Sequence, residues 1–311
     1  MNPRKAVAVK AAITDSAGRC LVREGSQVSL VADGFGFTEG PVWDARSEDL
    51  IFSDIAHSQQ WRWSETQGCR LLRKPSNQAN GNALDHLGRL ISCEHASSQL
   101  VRHEHEGRWV RVLVSHYMGQ AFNSPNDVVV DRQGRIWFTD PTFGRIRPQL
   151  GLLREPELAF RGVFRFDPDG SVHLVAGDFN QPNGLCFSPD ESFLYVNDSW
   201  EKEIRIFEVA GDGTLQAGRR FADVRGEGEG VADGMKVDAF GNVFCNGPGG
   251  IHVFDVNGTT LGLIEVPEKS SNFCFGGTDL QTLFITASTS VYRIRTETRG
   301  PAVALPSGLT S

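Results

Sequence analysis

The 311-residue chain holds no uninterrupted apolar run approaching the roughly 20 residues that a bilayer crossing needs. Its start, MNPRKAVAVKAAITDSAG, is basic, but the apolar part is broken by Lys10 and soon reaches Asp15, which makes a poor secretory signal. It reads as mature sequence, so a cytoplasmic protein with no membrane partner is expected. Basic residues are in deficit, 31 against 38 acidic, for a net charge of -7. A nucleic-acid surface is therefore not indicated. The six cysteines include no CxxC pair and none has ligand-like spacing to a histidine, so buried free thiols are expected. There is no GxSxG motif for a serine hydrolase. The string HEH at His103 to His105 lacks the HExxH spacing and reads as a solvated strand edge or hairpin, and GPGG at Gly247 lacks the lysine of a phosphate loop. Methionine is scarce, at three residues, against twenty phenylalanines, six tryptophans and thirty-four glycines, a balance that leans toward sheet.

What is present is repetition. Six segments share one form: EGPVWDARSEDLIFSDI from Glu39, NGNALDHLGRLISCEH from Asn80, NDVVVDRQGRIWFTDP from Asn126, NGLCFSPDESFLYVNDS from Asn183, DGMKVDAFGNVFCNGPGG from Asp233 and a weaker SNFCFGGTDLQTLFITAST from Ser271. Each has a polar start, a short apolar strand, a turn rich in Asp, Gly or Ser, and a second strand. Asp-x-x-Gly turns recur at Asp85, Asp131 and Asp238, where Asp can bond the turn backbone and Gly can take positive φ. The anchors are 41, 46, 57, 50 and 38 residues apart, room for four strands per unit. That arithmetic predicts an all-β, six-bladed β-propeller with four-stranded antiparallel blades, a single domain over 1–311. A β-sandwich is the alternative. The N-terminal VAVKAAI and CLVREGSQVSLVA are expected to pair with C-terminal SVYRIRT and AVALP and close the ring. The longest step carries an insertion at about 142–161, rich in arginine and leucine, expected on the active-site face as a rim or lid.

In a propeller the first strand of each blade lines the central channel. The repeat starts Glu39, Asn80, Asn126, Asn183, Asp233 and Ser271 therefore converge on one small volume. Two carboxylates held together need compensation, and a divalent cation supplies it. Glu39 and Asp233 with carboxamide oxygens of Asn183 and Asn126 make an oxygen-rich set suited to Ca²⁺ or Mg²⁺, with Zn²⁺, Mn²⁺ or Fe²⁺ also admissible.

The strings FTEGPVWD from Phe37, GRLISCEH from Gly88, NSPNDVVVDRQGRIWFTDPTFG from Asn123, QPNGLCFSPDESFLYVNDS from Gln181 and VADGMKVDAFGNVF from Val231, in this order, resemble the SMP-30/gluconolactonase/LRE family, in its bacterial gluconolactonase-like branch. The resemblance implies one catalytic divalent metal, Ca²⁺ first, held by Glu39, Asn183 and Asp233, with Asn126 as a further ligand or substrate contact. It implies metal-dependent hydrolysis of a small sugar lactone to the aldonic acid. A phosphotriesterase-like reaction at the same metal, or a non-enzymatic binding propeller, is the alternative. Asp233 would also be the general base. Asn126, His95 and Asn80 are the expected substrate contacts, with His57 a weaker one, and Asp127 and Asp198 are expected to hold ligand side chains in place. Family members carry arginines after CEH, whereas this chain has Ser98 and Gln99 there. That departure points to a different substrate preference, with arginines of the insertion available as replacements.

Overall fold

The structure, a computed structural model, describes residues 6–105 and 109–301. Each repeat folds as predicted into one antiparallel blade, and in blades 1 to 5 the strands lie side by side in chain order. Blade 1 comprises Thr38–Asp44, Asp49–Asp54, Gln59–Ser64 and Gly68–Arg73. Blades 2 to 5 follow the same plan from Ala79–Leu84, Val128–Val130, Pro182–Phe187 and Met235–Val237. The reason is local. In each predicted turn the Asp carboxylate accepts two backbone N–H groups: from Leu87 and Arg89 at Asp85 (3.0 and 2.8 Å), and from Gln133 and Arg135 at Asp131 (both 2.9 Å). Asp238 does the same for Phe240 and Asn242, and the glycine of each turn has positive φ.

Blade 6 closes the ring with strands from both ends of the chain. Ser270–Gly276, Thr282–Ala287 and Ser290–Arg295 form its inner three strands. Its fourth is the N-terminal Gln27–Asp33, which pairs with Ser290–Arg295 and in turn carries Val7–Ala8. The predicted closure by VSLVA against SVYRIRT is thus present. VAVKAAI itself does not meet the C-terminal strands: Val7–Ala8 pairs with Gln27 and Val28, and Ile13–Thr14 makes a separate hairpin with Cys20–Val22 at the start of CLVREGSQVSLVA. AVALP lies outside the described residues.

The innermost strands abut around the channel, each on the next, with the last against the first. Glycine after the anchor permits that approach: a Cβ on Gly81 would lie 2.4 Å from Asn126 O, and one on Gly184 2.2 Å from Asp233 O. Between blades the packing is apolar. Cys93 and Leu100 meet Phe138 and Phe164 between blades 2 and 3, and Leu50 and Phe52 meet Phe284 and Val291 between blades 1 and 6. The seam between blades 1 and 2 adds a buried polar net. Gln60 Nε2 donates to Asn82 Oδ1 (2.8 Å) and Ser92 Oγ (2.9 Å), and Asn82 Nδ2 donates to Gly40 O (2.7 Å) and Ser53 Oγ (2.8 Å). Cys93, Cys186, Cys245 and Cys274 are buried free thiols as expected, whereas Cys20 and Cys69 are exposed. His103 corrects the reading of HEH as a solvated edge: its strand is an inner one of blade 2 and the ring is 5% exposed. Among the described residues no helix is long and apolar enough to cross a membrane.

Candidate active site

In this topology the start of each innermost strand lies at the same end of the ring as the connection between a blade's second and third strands. That end holds a small cavity of about 50 Å³. Innermost-strand starts give it Glu39, Asn80, Asn126, Asn183 and Asp233, so five of the six predicted anchors share one pocket. The connections give it Ile55, His95, Ser199 and Trp200. The 142–161 segment gives it Phe143, Arg147 and Leu150. Phe143 and Leu150 pack on Ile55 and Phe37, so the insertion reaches from blade 3 to blade 1 beside the pocket. Its Arg145 is buried and donates to the carbonyls of Asn123, Phe122 and Glu155.

Ser271 is the anchor that does not join. Its Oγ donates to Thr38 O (2.7 Å), tying blade 6 to blade 1. Blade 6 instead offers Lys269, two residues earlier. Sequence reasoning missed Lys269 because it precedes the repeat. Arg147 was legible only as one of several arginines in the insertion. Ser98, one of the two positions where the family resemblance leads us to expect arginine, is buried, and Arg154 of the insertion donates to its Oγ (2.5 Å).

The electrostatics centre on two acids. Burial pushes the Glu39 carboxyl well above its ordinary range, and the neighbouring Asp233 charge adds to this. Burial likewise lifts Asp233 to about 7, with the charge of Asp127 raising it and those of Lys269 and Arg147 pulling down. Asp127 does not line the pocket. Its Oδ1 accepts from Val128 N (3.0 Å), and Oδ2 lies 3.9 Å from Lys236 Nζ.

The amides around these acids leave oxygens free. Asn183 Nδ2 donates to Ser199 Oγ (3.0 Å), and no donor among the described residues reaches its Oδ1. Asn80 Nδ2 bonds His95 Nε2 (3.1 Å), and Asn80 Oδ1 is buried without a partner. The Asn126 side chain makes no hydrogen bond among the described residues, while its carbonyl accepts from Gly81 N. His95 spends both ring nitrogens on protein. Nδ1 donates to Leu150 O (2.9 Å), which assigns Nε2 as the acceptor from Asn80. Burial drops its pKa to about 4, so the ring is neutral near pH 7. His57, by contrast, is outside the pocket and half-exposed beside Asp54 (2.8 Å).

Asp198 touches none of the three predicted ligands. Its carboxylate accepts N–H from Asn180 and Gln181 on one side and from Trp200 and Glu201 on the other. It therefore fixes the turn that presents Ser199 to Asn183. Asp54 holds Gly36 and Phe37, and Asp140 holds Asn123 and Ser124, in the same way.

A donor set of two repelling, desolvated carboxylates and three amide oxygens without donors fits a hard divalent cation. Among the described residues no three His, Cys, Asp or Glu side chains form a ligand cluster, because the remaining donors in this set are amides.

The fold and pocket define a class: a six-bladed propeller with an acid-and-amide pocket at one end of its channel. The chain belongs to the SMP-30/Gluconolactonase/LRE-like family, whose match covers residues 37–289. It is 33% identical to a gluconolactonase of Zymomonas mobilis over 88% of this chain and 82% of that protein. It is 29% identical to a pentonolactonase of Haloferax volcanii over 80% of this chain and 81% of that one. A solved gluconolactonase from Xanthomonas campestris superposes with a TM-score of 0.85 at 36% identity, covering 94% of this chain and 97% of the other. Kinship therefore puts the chain in a gluconolactonase-like hydrolase family.

Proposed function

We propose that this protein hydrolyses a sugar lactone to the open hydroxy acid at a divalent cation held by Glu39, Asn183 and Asp233, with Asn126 alongside. The observation that carries the reading is the pair of buried carboxylates, both raised by burial, Glu39 further by the Asp233 charge and Asp233 further by that of Asp127, set among amide oxygens that no donor among the described residues reaches. When bound, the cation supplies Lewis acidity toward the ester carbonyl and compensates the two acids.

The chain's own groups do the rest. Asp233 Oδ takes a proton from the attacking water as the water oxygen bonds to the carbonyl carbon. The ring C–O bond then breaks, and the proton passes to the departing ring oxygen, which leaves as a hydroxyl. Water plus lactone thus gives hydroxy acid with no other reactant. Asn126 orients the substrate through its uncommitted amide. His95 holds Asn80 in place, which leaves Asn80 Oδ1 as an acceptor for a sugar hydroxyl or the cation. Phe37, Ile55, Phe143 and Leu150 exclude bulk water from one wall of the pocket.

The test is acid release from glucono-δ-lactone by metal-stripped protein, before and after adding Ca²⁺, Mg²⁺, Mn²⁺, Zn²⁺ or Fe²⁺, with each metal alone as blank. Metal-dependent turnover that falls at least about 100-fold in Asp233→Asn is expected. Unaltered turnover in that variant overturns the assignment. A phosphotriester assayed in parallel separates the alternative chemistry.

A further inference from the structure

The cavity wall contains four charged side chains: Glu39, Asp233, Arg147 and Lys269. The two cations come from different parts of the ring, Arg147 from the insertion after blade 3's second strand and Lys269 from the approach to blade 6. Neither makes an ion pair or a side-chain hydrogen bond among the described residues. Arg147 lies over the Phe143 ring, 5.1 Å from its centre, and its charge acts on Asp233 without a direct ion pair. This sets it apart from its neighbours in the insertion, since Arg145 is spent on three backbone carbonyls and Arg154 on Ser98. Arg147 is exposed and so stands at the rim, whereas Lys269 is half-buried.

The charges then count as follows. Asp127, outside the pocket, is faced by Lys236 at 3.9 Å. Glu39 and Asp233 are compensated by the divalent cation proposed above. Every other polar group in the wall is neutral, including His95. Once a divalent cation compensates Glu39 and Asp233, the charges of Arg147 and Lys269, which otherwise act on Asp233, are in excess beside the proposed ester site. Uncompensated cations at a narrow, partly dry site favour an anionic ligand.

We propose that the preferred substrate is a sugar lactone bearing an anionic substituent away from the ester carbonyl, such as a phosphate or carboxylate, and that Arg147 and Lys269 grip that substituent. The proposal rests on the lactonase reading and deepens it. The guanidinium can meet two anionic oxygens at once and the ammonium supplies a point charge from the opposite part of the ring. The cost of leaving the cations empty falls on neutral lactones, which are expected to be poorer substrates.

Two readouts test this. Calorimetry on the metal-loaded protein compares 6-phosphogluconate and glucarate with gluconate, and kinetics compare the corresponding lactones. Binding of either anion-bearing compound at least about tenfold tighter than gluconate is expected, weakening as salt is raised. The same preference is expected in kcat/KM. Which substituent gains more distinguishes a phosphate grip from a carboxylate grip. Arg147→Ala and Lys269→Gln should each shrink the ratio, and the double variant should bring it close to one, with the unfolding transition unchanged. Equal binding of all three acids, or a preference that survives the double variant, overturns the proposal. If no lactone is opened but the binding preference and its dependence on both cations hold, the lactonase reading fails and the anion grip stands.

Discussion

Proton occupancy at the pocket follows from which side chains the ring buries together. Asp233, lifted to about 7, holds a proton at mildly acidic pH that the proposed cation would displace, and burial shifts Glu39 in the same direction. Divalent-metal affinity is therefore expected to fall as pH drops from about 8 to about 6, with protons released on binding. Calorimetry in two buffers of different ionisation heat reads both, and a pH-independent affinity would remove Asp233 from the ligand set. His103 carries a pKa shift of the opposite sign, and it acts on folding. Burial, with the charges of Arg73 and Arg62, lowers its pKa to about 4 from 6.5. The unfolded chain takes up this proton near pH 6.5 and the folded one only near 4, so its contribution to stability is lost as pH falls through that window. The full shift corresponds to roughly 3 kcal/mol at most. In His103→Gln, urea midpoints should decline less steeply between those limits than in the parent protein. Parallel declines would show that His103 carries no share.

At the scale of elements, a repeated carboxylate explains how loops become precise enough to carry a site. Asp198 accepts four backbone N–H groups in a buried setting, joining the approach to blade 4 with the turn after its second strand. Asp198→Ala leaves those donors without their acceptor, and a loss of about 3 kcal/mol in stability is expected by chemical denaturation. The variant that remains folded should also lose metal affinity, because Ser199 no longer meets Asn183. Retained affinity would make Asp198 purely a fold residue. The strand pairs and Asp-Gly turns were legible in sequence because each is settled within a few residues. The role of Asp198 was not, since its partners lie on both sides of a blade strand. Lys269 was hidden for a related reason: blade 6 presents its channel group two residues before the expected position, and Ser271 turns to Thr38 instead.

For the whole molecule, closure is the controlling feature. The outer strand of blade 6, Gln27–Asp33, comes from the opposite end of the chain from its inner three. Without it, Ser290–Arg295 would present an open sheet edge, and Val28 would be lost from the apolar cluster that joins blades 5 and 6. Removing residues 1–33 is expected to lower the melting temperature by more than about 10 °C, a shift of roughly 6 kcal/mol at this size, or to yield aggregate. A truncated chain that melts with the full-length one would show that three strands suffice. The seam between blades 1 and 2 contributes differently, through Gln60, Asn82 and Ser92, which lock the backbone at Gly40 beside Glu39.

Legible from the residues alone were the six-fold repeat, the antiparallel blades, the closure by the N-terminal strand and, of the pocket's lining, five of the six repeat-start anchors together with His95. These follow from periodicity and turn chemistry, which act between near neighbours and recur in register. Tertiary structure alone decided that the insertion packs on blade 1, that His95 spends both nitrogens on protein, and that Arg147 and Lys269 line one pocket with Asp233. Those outcomes depend on distances between blades remote in the chain, which exist only once the ring has closed.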